Sequence, residues 1–133
     1  MPGKRRKSGG RSKFWSMKGT HRPTGVPFES GFEKKFLDQC YVLGIRVDRC
    51  KSVVPYQDAT GKWCRYEPDF LLIDYDYVVE IKGAWAFKDN HANVREKFFA
   101  AQKYFNGRYT LATEKELKGT FVADLLRTLH NGN

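Results

Sequence analysis

Residues 69–82, DFLLIDYDYVVEIK, set two nearly continuous apolar runs on either side of Asp74-Tyr75. Runs rich in Leu, Ile, Val and Tyr read as β-strands, and the short polar break between them reads as a hairpin turn. A strand with one wet face alternates apolar and polar residues, whereas a strand apolar throughout needs cover on both faces. The rest of the chain therefore has to supply packing layers above and below this hairpin.

Helical patterns lie on both sides of it. Ser30 stands as an N-cap with Glu33 three residues on, and Phe32, Phe36, Cys40 and Leu43 form a helical stripe ended by Gly44. After the hairpin, Asp89 or Asn90 can cap a second helix; Val94, Phe98, Ala101 and Phe105 share one face of it, and Gly107 stops it. IRV (45–47) and CKSVVPY (50–56) read as extended, with Pro55 favouring an edge, and QDATGKW (57–63) is turn-like. RYTLA (108–112) is a short strand, and TFVADLLRTLHNGN (120–133) an amphipathic helix with Phe121, Leu125 and Leu129 inward. The expected order is α-β-β-β-α-β-α, an α/β (α+β) mixed sheet with flanking helices. With 133 residues this is a single domain with one modest core.

The charges on the apolar strands need a reason. Side chains alternate between faces, so Glu80 and Lys82 share one face while Tyr77, Val79 and Ile81 share the other. A turn centred on Asp74-Tyr75 sets Leu71 opposite Val78 and Asp69 opposite Glu80, and a slip of one residue would undo that pairing. Like charges directly opposed are destabilising. Either a cation sits between the two carboxylates, or one of them takes up a proton. A hard divalent ion such as Mg²⁺ suits a pair of carboxylates, and Lys82 on the same face could steady a phosphate beside it. The plain alternative is a surface hairpin whose charges face water. Glu33 also has two readings: the capping-box partner of Ser30, or a third carboxylate reaching the metals from the helix.

Charge is unevenly spread. Of the 24 basic residues, eight (Lys4, Arg5, Arg6, Lys7, Arg11, Lys13, Lys18, Arg22) lie in residues 1–22 beside no acid, so the remaining 16 nearly balance the 15 acids from Pro23 onward. Residues 1–22 thus read as a flexible basic arm on a nearly neutral body, with nucleic acid as the expected partner and a solubility or localisation tail as the bland alternative. Phe14 and Trp15 could stack on bases or dock on the body. Three cysteines, odd in number and without a CxxC pair, point to reduced thiols. No apolar run is long enough for a membrane span or a signal peptide, so the chain reads as intracellular with no membrane partner.

Taken in order, Ser30-Gly31-Phe32-Glu33, Gly44-Ile45-Arg46, Val54-Pro55-Tyr56, Pro68-Asp69-Phe70-Leu71-Leu72 and Glu80-Ile81-Lys82-Gly83 with Trp85 resemble the PD-(D/E)xK nuclease superfamily. Within it, the chain looks most like the phage endonuclease I group of Holliday-junction resolvases, enzymes of DNA recombination. The resemblance covers about residues 29–112. It implies a restriction-endonuclease-like αβββαβ core with flanking helices and a single nuclease domain over 23–133. It implies an Mg²⁺-dependent hydrolase, with Mn²⁺ able to substitute, that acts as a homodimer on branched DNA in the cytoplasm of a phage's host cell. Catalytic residues would be Glu33, Asp69, Glu80 and Lys82. Asp69, Glu80 and the Ile81 backbone carbonyl would be metal ligands, with Glu33 and Asp48 as further candidates. The VPY segment would hold the dimer together. From Thr113 onward the chain departs from the family pattern. Head-completion and transposase-associated nucleases share the RYEPDF…VEIK core, so action on duplex or DNA ends is the runner-up, and a non-catalytic DNA-binding virion protein is the third reading.

DNA contacts are expected from Lys4, Arg5, Arg6, Lys7, Arg11 and Lys13 of the arm, and from Lys34, Lys35, Trp85, Lys88 and Arg95 of the body. Trp85 reads equally as a core residue, Lys34 and Lys35 as a solvated helix face, and His91 as a proton shuttle or a surface residue. Lys97 and Lys103 read as surface.

Overall fold

The computed structural model describes residues 13–131. Four strands make the central sheet: β3 (Val47–Arg49), β6 (Phe70–Leu72), β7 (Tyr77–Ile81) and β8 (Tyr109–Ala112), side by side in that order. β6 runs antiparallel to both β3 and β7, and β8 joins β7 in parallel, so the sheet is mixed. A parallel neighbour needs a crossover, and α2 (Val94–Tyr104) provides it. Two hairpins stand apart from this sheet: β1 (Gly19–His21) with β2 (Val26–Phe28), and β4 (Val54–Gln57) with β5 (Trp63–Tyr66). Helix α1 (Gly31–Val42) precedes β3, and two further helices, α3 (Glu114–Leu117) and α4 (Phe121–Asn131), follow β8. Without the hairpins the order runs α1-β3-β6-β7-α2-β8, then α3 and α4.

Both faces of the sheet are covered, as the apolar strands require. On one, Phe70, Leu72, Val79 and Ile81 pack with Phe36, Leu37 and Cys40 of α1 and Val122 of α4. On the other, Val78 and Tyr109 pack with Ala101 of α2 and with Val54, Tyr56 and Tyr66 of the second hairpin. Alternation along β7 sends Val79 and Ile81 into the first layer and Val78 into the second.

Local signals explain the helix ends. Ser30 accepts the Glu33 N–H at 3.0 Å, and Gly44, with φ of +70°, follows the last turn of α1. Leu43 is exposed rather than inward because the helix ends at Val42; Leu37 takes its place in the core. Asn90 caps α2 from a distance, its Oδ1 accepting the Arg95 N–H at 2.9 Å. In α4, Val122 is the fully buried residue, with Phe121, Leu125, Leu126 and Leu129 half-buried around it.

Four elements, β1, β2, β5 and α3, depart from the expected order. The first hairpin, TH-RPTG-VPF, carries no apolar alternation, and β5 was legible only as the approach to Pro68; α3 was also missed. Of the expected arm over residues 1–22, residues 13–22 are described, and Phe14 and His21 among them pack on the body. Phe14 meets Phe32 with ring centroids 4.6 Å apart. It approaches Gly31 so closely that a Cβ there would fall 2.4 Å from its ring. His21 is buried, bonded to Asp38 and Thr24 at 2.7 Å each. Lys4, Arg5, Arg6, Lys7 and Arg11 lie outside the described residues, as does the side chain of Lys13. Cys40, Cys50 and Cys64 are free thiols. Among the described residues no helix is long and apolar enough to cross a membrane.

Candidate active site at the open end of the hairpin

Phe70 pairs with Val79, Leu71 with Val78 and Leu72 with Tyr77. Extended by one residue, this register sets Asp69 opposite Glu80, as the sequence requires. The turn is a single 3₁₀ turn over Ile73–Tyr75, closed by Asp76 at φ of 50°. Each carboxylate caps the backbone of the other's strand: the Asp69 N–H donates to Glu80 Oε1 at 3.0 Å, and the Ile81 N–H to Asp69 Oδ2 at 2.8 Å. Pro68 lies opposite Ile81 and has no N–H to give to the Ile81 carbonyl, so that half of the ladder is missing there. The Ile81 N–H turns to the Asp69 side chain, and the Ile81 carbonyl receives no donor from Pro68.

Two carboxylates so placed are electrostatically uncomfortable. Glu80 is buried, and burial raises its carboxyl above the ordinary range; Lys82, the Tyr66 hydroxyl and the Asp69 N–H pull the other way. Asp69 is pushed up further, first by burial, then by Glu80 and Glu33, against the Ile81 N–H and Arg49. Lys82 Nζ stands 3.6 Å from Glu80 Oε2. These groups, with Glu33, Ile81, Trp85 and His91, line an open cleft of about 310 Å³. Trp85 is over a third exposed, and its ring meets His91 edge-on with centroids 4.8 Å apart. It lies on the cleft wall instead of in the core.

Glu33 is buried and reaches this cleft from α1. Its carboxylate does not close a capping box with Ser30. Instead Oε1 accepts the Glu29 N–H at 2.9 Å and Nη1 of Arg49 at 2.7 Å. Asp48 does not join the site: it is exposed, its carboxylate accepts the Arg49 N–H at 2.7 Å, and it does not line the cleft. The adjacent Arg49 faces the carboxylates in its stead, because neighbours on a strand point to opposite sides. Among the described residues, no three His, Cys, Asp or Glu side chains already form a closed cation cage. The oxygens on hand for a hard ion are those of Asp69 and Glu80 with the Ile81 carbonyl.

Behind Glu80 lies a polar network that sequence reasoning missed. The Tyr66 hydroxyl hydrogen-bonds Glu80 and also pairs with the Tyr109 hydroxyl at 2.8 Å. Lys97 of α2 is half-buried, its Nζ 5.5 Å from the Tyr66 ring centroid and 5.9 Å from that of Tyr56. Burial and then the Lys82 charge lower its pKa, while Glu80 opposes them. It is therefore not the surface lysine expected; Lys103 is exposed. Lys34 and Lys35 are exposed on α1, Lys34 pairing with Asp38 at 3.8 Å. Lys88 and Arg95 are exposed outside the cleft, and Arg95 borders a separate hollow with Phe87, Phe98 and Phe99.

The signal for Tyr66 was its position three residues ahead of Asp69. That for Arg49 was its place beside Asp48 on a strand that had to pair with β6, and the intervening hairpin hid the pairing. Compared with known proteins, the chain matches no family model, no curated protein and no solved structure.

Proposed function

We propose that the chain is a metal-dependent endonuclease that hydrolyses phosphodiesters of branched DNA. The observation that carries this reading is the Asp69–Glu80 pair. The buried Glu80 carboxylate and the partly buried one of Asp69 face one another at the mouth of a cleft, with an ammonium 3.6 Å from Glu80. A protein that only bound DNA would gain nothing from negative charge placed where a phosphate must come. The donor set fits Mg²⁺: hard oxygens, few in number, on an open side where the ion keeps waters. Bound there, the ion would lower the pKa of a coordinated water and offset phosphate charge.

The chain's own residues do the rest. The crossed backbone bonds fix the rotamers of Asp69 and Glu80 before any ion arrives. Lys82 faces the same space and stabilises the charge that phosphate oxygens gain in the transition state. Tyr66 holds Glu80 from behind. Trp85, at the rim, offers a surface on which a sugar or base can lie. The order α1-β3-β6-β7-α2-β8 supports a restriction-endonuclease-like core. A homodimer would set two such clefts across a junction, with the basic residues of 1–12 adding sequence-independent grip.

The test is cleavage of four-way junction, flap, nicked and linear DNAs of matched sequence, with Mg²⁺, with Mn²⁺ and with neither. Metal-dependent cutting that favours the junction is expected. Equal cutting of junction and linear duplex would favour the duplex or DNA-end reading, and DNA binding without cleavage would leave a binding protein.

A further inference from the structure

Arg49 is a strong cation beside the cleft that the nuclease reading does not use. It ends β3 and lies opposite Phe70. Its guanidinium stacks on the Phe70 ring, 4.6 Å from the centroid. Nη1 donates to Glu33 Oε1 at 2.7 Å and to the Pro27 carbonyl at 3.4 Å, and Nη2 stands 3.5 Å from Asp69 Oδ1. Only 22% of the side chain is exposed. Ring, carbonyl and two carboxylates thus pin the group between Glu33 and Asp69.

A guanidinium cannot give up its charge near neutral pH, and its planar fork suits two acceptors at once. An ion bridging Glu33 and Asp69 would compete with Arg49 for the Glu33 carboxylate, whose Oε1 already takes two donors, and would stand against a fixed positive charge. The other side of Asp69 differs. Toward Glu80 the cation is the ammonium of Lys82, 3.6 Å from Oε2, on a flexible stem that can turn toward a phosphate. On the nuclease reading, on which this inference rests, we propose that Arg49 stands in for a second divalent ion: the cleft takes one ion, on Asp69, Glu80 and the Ile81 carbonyl, and Glu33 anchors Arg49 instead of ligating metal. Arg49 is then a positioning residue, holding Asp69 from the side away from the ion.

Counting bound ions tests this without reference to activity. Mn²⁺ is titrated into the full chain, free ion is followed by electron paramagnetic resonance, and melting curves confirm that each variant is folded. The expected counts are one ion for the parent, one for Glu33→Gln, and two for Arg49→Gln, which frees the Glu33 carboxylate. Two ions in the parent, or fewer in Glu33→Gln than in the parent, would make Glu33 a ligand and overturn the proposal while leaving the nuclease reading intact. A count of one in folded Arg49→Gln would show that the arginine is not what excludes a second ion. If Arg49→Gln does not fold, the parent and Glu33→Gln counts still decide. No bound Mn²⁺ in the parent would bring down the metal-dependent reading together with this one.

Discussion

The two ends of the β6–β7 hairpin carry the same kinds of side chain and treat them in opposite ways. At the turn, Arg46 Nη2 lies 2.5 Å from Asp74 Oδ1 and both side chains are more than half exposed. Arg108 donates to the carbonyls of Tyr75 and Asp76. Arg46 and Asp74 have each other and water, and the Arg46 hydrogen bond holds the Asp74 carboxyl below its ordinary range. At the open end, Asp69 and Glu80 are withdrawn from water and pushed the other way. Three carboxylates, counting Glu33, are met by Arg49 and Lys82. Surface decoration explains the turn. It does not explain the open end, where desolvation makes an uncompensated charge costly; a positive partner from outside would remove that cost.

The largest effect expected from this contrast is on cleavage. On the proposed reading, Glu80→Gln would remove a metal-holding oxygen charge, and Lys82→Ala the cation that meets the phosphate. Each should slow cutting by about 10²–10³-fold, the scale of losing one group that stabilises transition-state charge. Folding and DNA affinity should stay near the parent's, as read by circular dichroism and filter binding. Cutting by either variant at the parental rate would remove the open end from the chemistry.

Next in size is the support behind Glu80. Tyr66→Phe deletes the hydroxyl that bonds Glu80 and leaves the buried Tyr109 hydroxyl without that partner. Stranding a buried polar group costs about 1–3 kcal/mol, measurable by urea unfolding. Because the ring stays, packing is kept and the loss reports the hydroxyl alone. An unchanged midpoint would mean that water replaces the Tyr66 hydroxyl at no cost.

How much of this was legible in the sequence depends on the range of the interaction. The Asp69–Glu80 register follows from a short hairpin whose apolar pattern allows one pairing, and the structure has it. Burial on both faces followed from the unbroken apolar runs. Arg49 and Tyr66 did not stand out, because their roles arise from β3 pairing with β6 across an inserted hairpin, and from Tyr66 meeting Tyr109, which is 43 residues away in the chain. Lys97 was misread for a related reason. A lysine on a helix is normally solvated, and only the tyrosines of a hairpin distant in sequence turn this one inward. The first hairpin was missed because its pairing is held by Val26 and Phe28 on the core, not by any alternation along β1.

A smaller effect separates the ends by pH. Burial, then Glu80, then Glu33 raise the Asp69 carboxyl, so the folded chain holds that proton more tightly than the unfolded one. Its contribution to stability is fully present below the ordinary aspartate pKa of about 3.9 and is lost as pH rises through the raised value. Asp69→Asn cannot ionise. In the metal-free state it should flatten that decline and raise stability at neutral pH by on the order of 1 kcal/mol. Melting curves in chelator across pH would show it, and a decline equally steep in the variant would mean that Asp69 is comfortable as an anion.

The smallest change is expected at the turn, where it matters most for the contrast. Asp74→Asn and Arg46→Ala break a solvent-exposed pair whose attraction competes with water and with side-chain entropy. High salt should weaken whatever remains, since the screening length falls to about 3 Å at 1 M ionic strength. Melting temperature in high salt and cleavage rate should both match the parent within experimental scatter. The Arg46–Asp74 contact is also the shorter of the two, 2.5 Å against 3.6 Å for Lys82–Glu80. Distance alone would therefore rank the turn as the stronger site. If instead burial decides which charges carry function, the shorter contact should be the dispensable one. A loss of cleavage in Asp74→Asn comparable to that in Lys82→Ala would show that the two ends are not different in kind.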